Sequence, residues 1–428
     1  MGFQHGLSGL KAATAKLDVT GNNIANANTV GFKQSQAQFA DVYASTVGGS
    51  KVQIGIGAQT LAVAQQFNQG NVTSTDNPLD VAIAGNGFFR MSNNGAISYT
   101  RNGQFHLDKD GFLVNASDYN VTGFAADATG TIIPNVPVNL RLPTSDLTPK
   151  PTANFATGVN LDARTEVPSP PVAFDATNLD SYAHSTSGEI FDSLGNSHIL
   201  NLYFQKTAPT EWSVFATVDG AADNSGKPIG VTLDSNNSSN PDPGDPLKLT
   251  FDSGGIMTNP MGPIDITVDF QTIDSVKWGA IPDLTFSFDL TRSTQFGNKF
   301  GVNMMNQDGF TSGRLAGYSI SDNGEIRGSY TNGVTRTLGQ LALAGFSNPN
   351  GLKPMGNNQW AETAESGLPL VGAPETGVLG SLQSSAVEES NIDLTSELVN
   401  LIMTQRVYQA NAKTIQTQDA VMQSIMNI

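Results

Sequence analysis

The chain has 428 residues, with 22 Lys and Arg against 38 Asp and Glu, no cysteine and a net charge of −16. That balance argues against a nucleic-acid partner held by counterion release and against adsorption to an anionic membrane surface. The missing cysteine excludes a disulfide framework, a thiolate nucleophile and a zinc–thiolate site, while the length leaves room for roughly two to four domains.

Only 14% of residues are charged, well under the usual ~25%, and the charge is unevenly placed. Residues 1–70 hold four lysines and two aspartates, a net of +2. Residues 391–428 hold Asp393, Glu397 and Asp419 against Arg406 and Lys413, a net of −1, which leaves −17 for 71–390. The start, MGFQHGLSGLKAATAKLDV, lacks the basic and apolar regions of a cleaved signal, and no apolar run approaches a spanning helix. Gly6 stands where a myristoylation signal wants Ser or Thr. These features predict a soluble protein, cytosolic or exported without a cleaved signal.

Phe3, Leu7, Leu10, Thr14, Leu17, Gly21, Ile24 and Asn28 recur in steps of four and three, which predicts an N-terminal helix with a diluted heptad seam. The chain then turns to β. Leu79 to Ala84 reads as a strand ending at Gly85-Asn86-Gly87. Ile97–Arg101 and Gln104–Leu107 flank Asn102-Gly103 and predict a hairpin, and Asp110-Gly111 predicts the next reversal. Further hairpin material lies at 198–218, with strand runs at 247–251, 264–270 and 284–290 and a turn at Asp322-Asn323-Gly324. The short, turn-separated runs suggest sandwiches or barrels rather than βαβ units.

Proline-rich stretches at 141–152 and 165–171 read as linkers, and the polar stretch 234–246 reads as a surface loop. The C-terminal stripe is stronger: Leu394, Leu398, Leu401, Gln405, Tyr408, Ala412, Ile415, Asp419, Met422 and Met426, with Asp393 as a candidate N-cap. Neither terminal helix has a helical neighbour in sequence, so each must bury its stripe against the other end or another subunit.

The predicted fold class is α+β, mostly β, with nested discontinuous domains. Residues 1–31 and 391–428 would form a helical, coiled-coil inner domain, with 32–70 and 376–390 as extended connections. Residues 71–145 and 289–375 would form a first β domain, and 146–288 an inserted outer β domain, both barrel- or sandwich-like.

A search for chemistry finds little. His5, His106, His184 and His198 are the only neutral-pH bases, and His184 and His198 read as surface histidines of a β domain. There is no nucleophile elbow, zincin helix or phosphate loop. Gly85-Asn86-Gly87 lacks the rest of a dinucleotide fingerprint, and Asp108–Gly111 lacks the spacing of a calcium loop. No catalytic residue, metal site or cofactor is expected.

The specific signal lies elsewhere. Leu17 through Lys33 contains Asn22, Asn23, Asn26, Gly31 and Phe32, and the C-terminal end contains Asn391, Asp393, Gln405, Arg406 and Asn411. These runs closely resemble the terminal signatures of the bacterial flagellar rod and hook proteins. Leu79–Ile83, Gly85–Phe89 and Tyr99–Gly103 resemble that family's first β domain; Val387, where a leucine is usual, is a small departure. The resemblance covers residues 1–125 and about 285–428, and the inserted domain matches only loosely. Rod proteins of the family are shorter and lack the large insertion, so the length favours the subunits that build the hook.

The resemblance implies a non-enzymatic subunit that polymerises into a curved, flexible helical tube, a universal joint passing torque from rod to filament around the export channel. Its partners would be copies of itself, the rod proximally, the hook–filament junction proteins distally, and the cap scaffold and export apparatus during assembly, with no nucleic acid and no membrane insertion. Its place would be extracellular, in the basal body and hook, reached by type III export. The helical seam residues Leu7, Leu10, Leu17, Ile24, Leu394, Leu398, Leu401, Tyr408, Ile415 and Met422 would carry polymerisation. Two rivals remain: a distal-rod-like axial protein, and a secreted β-rich adhesin or carbohydrate-binding protein that would keep its activity without residues 391–428.

Overall fold

Periodicity at the two ends becomes two long helices, α1 (Gly2–Ala25) and α2 (Leu394–Met426), and the regular structure described between them is mainly strand. The structure, a computed structural model, describes residues 2–43, 55–127, 129–134, 136–143, 145–234, 242–273 and 282–426. Most of the expected polar loop at 234–246 lies outside the described residues. Contacts divide the chain into two compact units, one of residues 1–144, 316–329 and 335–428, the other of 145–315 and 330–334.

The second unit is the expected insertion, but it runs on to 315 instead of ending at 288. The reason is strand pairing. Gly301–Gln307 runs antiparallel to Asn154–Asn160, which also pairs in parallel with Leu284–Asp289, so the sheet closes only after 300. Two five-stranded sheets line one core that includes Phe155, Phe204, Trp212, Leu249, Ile266 and Phe288, all at most 1% exposed. The alternation behind it is plain in Ile264–Val268, where Ile264, Ile266 and Val268 are buried and Asp265 faces outward. The pair Ser197–Ala208 and Glu211–Val218 forms the expected hairpin.

In the first unit, strands from both sides of the insertion share a sheet around Phe89, Met91, Phe105, Leu113, Ile326 and Leu341. A smaller cluster joins Phe88, Tyr99 and Trp360 by edge-to-face contacts to Phe67 and Phe346. The reversal at Asp110-Gly111 forms, with Gly111 at a φ of 82° between Phe105–Leu107 and Leu113–Asn115.

The hairpin expected at Asn102-Gly103 does not form. Ala96–Thr100 pairs instead with Phe88–Asn93 across Asn94-Gly95, whose φ values of 50° and 94° suit a type I′ turn. Gly103 serves a close approach, because a Cβ there would lie 1.7 Å from the carbonyl oxygen of Val81. A second difference falls in the region expected to be a plain connection. There β1 (Ser35–Tyr43) and β2 (Gly55–Gln65) form an antiparallel ribbon that among the described residues pairs with no further strand, though Trp360 Nε1 donates to Gln65 at 2.6 Å.

Candidate assembly surface

Both helices are fixed at the ends that meet the β structure. Asp393 caps α2: its Oδ1 accepts from the Thr395 and Ser396 amides at 3.0 and 3.4 Å, and its Oδ2 from Ser396 Oγ at 2.6 Å. The Ser396 hydroxyl, with those amides, holds the Asp393 carboxyl below the usual carboxylate range. At the end of α1, Asn26 Nδ2 donates to the carbonyl and side-chain oxygens of Asn22, and Thr29 donates to Asn26 Oδ1. Gly31 follows at a φ of 71°, where a Cβ would meet the Asn102 amide at 2.6 Å, so only glycine fits.

Two polar knots then tie the chain ends together. In the first, Asn23 exchanges bonds with the Ser35 backbone, donating at 2.8 Å and accepting at 3.0 Å, as a strand partner would. Asn23 and Gln34 both donate to Glu397 in α2, while Asn391 accepts from the Gln34 amide and donates to Gln66 and Asn68 carbonyls. In the second, Glu388 lies fully buried between Lys33 at 2.6 Å and Arg101 at 3.2 Å. Lys33 also donates to the Asn68 carbonyl, Arg101 to the Gly85 carbonyl, and the Gly70 amide to Glu388. Burial lowers the Lys33 pKa, with the Glu388 carboxylate opposing that fall.

The helices run antiparallel, with Asn23 near Glu397, Gly9 near Asn411 and Gly6 near Ile415. Their contact sets the seam residue Ile415 against a small residue, Gly6. The side buried on α1 carries Gly6, Ala13 and Thr20, seven residues apart, and that on α2 carries Glu397 and Thr404. Small residues let the two backbones approach closely, and Thr404 satisfies its hydroxyl on the Asn400 carbonyl of its own helix.

The seam residues divide accordingly. Leu10, Leu17, Ile24, Leu401 and Ile415 are half-buried, while Leu7, Leu394, Leu398, Tyr408 and Met422 are exposed. Phe3, Val399, Ile402, Met403, Val407 and Val421 are exposed as well. With 33 residues against 24, α2 is about 50 Å long to about 36 Å for α1, so its last turns overhang. The ribbon adds Phe39, Leu61 and Val63, all exposed, and is held to α1 by His5 Nε2 at 2.7 Å from the Gly55 carbonyl. So many exposed apolar side chains on two helices and a ribbon are what a site for association would present.

Among the signature residues, Asn22, Asn23, Asn26, Gly31, Phe32, Asn391 and Asp393 lie at the base of the helices, and Asn411 faces Gly9. Gln405 and Arg406 are exposed on α2 and take no part in either knot. Sequence reasoning passed over Lys33, Gln34, Arg101, Glu388 and Glu397. Their signal was available: in a chain so poor in charge, a lysine and two glutamates inside apolar, amide-rich signatures are conspicuous.

The histidines also need correction. His198 is fully buried, with Nδ1 2.8 Å from Asp219, Nε2 3.5 Å from Asp192 and its ring against Phe270. His184 is half-buried and stacked on Phe300, and burial lowers its pKa. Both brace the core of the second unit. Among the described residues no cluster of His, Asp or Glu is arranged to hold a metal, and no helix is long and apolar enough to cross a membrane.

Comparison with known proteins agrees with this layout. Residues 3–33 match the family described as flagella basal body rod protein, and 383–428 the flagellar basal body rod FlgEFG protein C-terminal family. Residues 82–163 match the flagellar hook protein FlgE/F/G D1 domain, and 160–310 the flagellar basal body protein FlaE D2 domain. The flagellar hook protein FlgE of Escherichia coli strain K12 is 38% identical over 437 residues, covering 100% of both chains. That of Salmonella typhimurium strain LT2 is 38% identical over 431 residues, again with 100% of both covered. That of Borreliella burgdorferi is 32% identical over 451 residues, spanning 99% of this chain and 98% of the other. The crystal structure of Helicobacter pylori flagellar hook protein FlgE2 has a TM-score of 0.52 at 15% identity, over 74% of this chain and 100% of that one, a likeness of fold alone.

Proposed function

This chain belongs to the flagellar hook protein family, and on that premise we propose that the apolar residues left open on α1 and α2 are the surface by which its copies lock into a hook. The chain is a structural subunit of the flagellar hook. The observation that carries the assembly reading is the division of labour on the helices. Small and polar residues such as Gly6, Ala13, Thr20 and Thr404 are buried within the chain, while Leu7, Leu398, Val399, Met403, Val407 and Met422 stay open. Each such side chain covered by a neighbouring copy contributes roughly 1.5–3 kcal/mol.

On this reading residues 1–31 and 391–428 form the inner tube around the export channel, 32–70 and 376–390 connect it outward, and the β domains make the outer layers. The polymer is a curved, flexible joint that passes torque from rod to filament. It joins the rod at one end and the hook–filament junction proteins at the other, and its subunits meet the export apparatus and cap scaffold on the way. The chain is exported from the cell and works outside it, holding no cofactor and catalysing nothing. Absence of cysteine suits a chain exported unfolded.

The test is a triple variant, Leu398→Gln, Tyr408→Ser and Met422→Gln, at three exposed positions. The purified variant should keep the wild-type circular dichroism and melting profile yet form no sedimentable tubes under conditions where the wild type does. Wild-type polymerisation by the variant would overturn the assignment.

A further inference from the structure

Asparagine followed by glycine is the dipeptide most prone to lose its side-chain amide, because glycine offers no Cβ to block attack by its own nitrogen. This chain carries six such pairs, at Asn86, Asn94, Asn102, Asn323, Asn332 and Asn350. The fold treats them unequally.

Three have the attacking nitrogen already engaged: the Gly324, Gly333 and Gly351 amides donate to the Ser321, Tyr330 and Asn348 carbonyls. Asn332 is held further, accepting from the Val334 amide and donating to the Thr311 carbonyl. Asn102 accepts from the Gln104 amide, and its Gly103 is buried against Val81. Asn86 is exposed, but Gly87 is buried beside Leu343 and Leu379, and the Asn86 carbonyl is anchored by the Gly380 amide at 2.7 Å.

Asn94-Gly95 differs from all of these. Both residues are exposed at the tip of the hairpin, and a Cβ on Gly95 would meet nothing within 4 Å. Among the described residues the Asn94 side chain makes one hydrogen bond, donating to the side chain of half-buried Asn93 at 3.3 Å. Among the described residues no carbonyl takes the Gly95 amide.

We propose that Asn94 is a site of spontaneous, water-consuming modification, converting to aspartyl and isoaspartyl residues ahead of the other five pairs. The Gly95 nitrogen gives its proton to hydroxide and bonds to Asn94 Cγ. The Cγ–Nδ2 bond breaks, and the amide nitrogen leaves as ammonia. Water then opens the five-membered imide. Attack at Cγ gives aspartate, and attack at the Asn94 main-chain carbon gives isoaspartate. No electrons change hands. Either product adds a negative charge to a chain already at −16. Isoaspartate also lengthens the main chain by one carbon inside the two-residue turn that sets Asn93 opposite Ala96, so the modified hairpin loses its register. The site rests on the geometry of the chain alone and not on the polymer reading.

The test is to hold the full-length purified protein in warm, mildly alkaline buffer and follow each pair by peptide mass spectrometry. In the folded chain Asn94 should convert about tenfold faster than Asn323, Asn332 and Asn350, the factor expected when a turn hydrogen bond must first break. In denaturant the rates should converge. A folded chain in which Asn94 is no faster than the tied pairs would overturn the proposal. So would a gap that persists undiminished in denaturant, since the flanking sequence and not the fold would then set it.

Discussion

Lys33 and Glu388 stand 355 positions apart in sequence and meet at 2.6 Å with neither side chain exposed to solvent. Glu388 also faces Arg101, so one buried carboxylate balances two buried cations from different segments. Removing the carboxylate strands both, so Glu388→Gln should cost ~3–5 kcal/mol of folding stability, the range for breaking a buried pair. Lys33→Met should cost clearly less, because the Arg101–Glu388 pair survives. Denaturant unfolding of monomeric protein gives both values; equal losses would show that the carboxylate is not the centre of the cluster.

Such a cluster shows where the sequence stops being informative. Helix positions and the Asp393 cap were legible because their causes are local: a repeat of three and four, and an oxygen two residues before the amide it accepts from. Asn94-Gly95 and Asn102-Gly103 carry the same dipeptide, and only the approach of Val81 to Gly103 decides which one reverses the chain. Which residues of α1 face α2 is not local either. An apolar stripe signals burial somewhere, but the approach of Ile415 to Gly6 and of Asn411 to Gly9 fixes the contact, and Leu7 and Leu398 remain exposed. His198 looked like a surface residue until Asp192, Asp219 and Phe270 were placed around it.

The helix contact makes a separate prediction. A Cβ at Gly6 would lie 2.9 Å from Ile415 Cγ1, a methylene held next to the branched Cβ, whereas one at Gly9 would meet the end of the Asn411 side chain at 2.7 Å. The Asn411 amide can swing away and Ile415 cannot. Gly9→Ala should therefore be neutral or gain up to about 1 kcal/mol from helix propensity. Gly6→Val should separate the helices and abolish polymer formation, since overpacking costs ~1–3 kcal/mol on a contact with little apolar area to spare. Thermal melts and sedimentation of the two variants check this, and a reversed order of severity would refute the packing.

Acid should act on the second unit through Asp308. Burial alone would raise its carboxyl, but Lys150 Nζ at 2.8 Å and the Asn154 and Ala153 amides outweigh burial and hold it at about 2. A carboxyl with its pKa depressed on folding stabilises the fold above the unfolded value of 3.8 and loses that contribution as the pH falls toward 2. Asp308→Asn should thus be less stable than the wild type at neutral pH. The gap between their unfolding midpoints should close across that window. A gap that stays constant down to pH 2 would remove Asp308 from the acid response.

The last prediction concerns bending. Among the described residues the strand His184–Phe191 has one strand partner, Ser197–Ala208; Thr152 bonds its Phe191 end, and its exposed residues Ser185, Ser187 and Glu189 are polar. An open edge with this composition exchanges one set of hydrated contacts for another at little cost, because bridging water replaces each hydrogen bond that is broken. Leucine at Ser185 and Ser187 leaves the interior of the unit untouched and adds an apolar patch, each side chain favouring burial by roughly 1.5–3 kcal/mol. In a joint whose outer domains slide past one another, such a patch would hold one arrangement. Hooks assembled from the double variant should therefore form at normal yield but show straighter, less variable curvature by electron microscopy. Curvature and its spread indistinguishable from the wild type would mean that the polar edge has no part in flexibility.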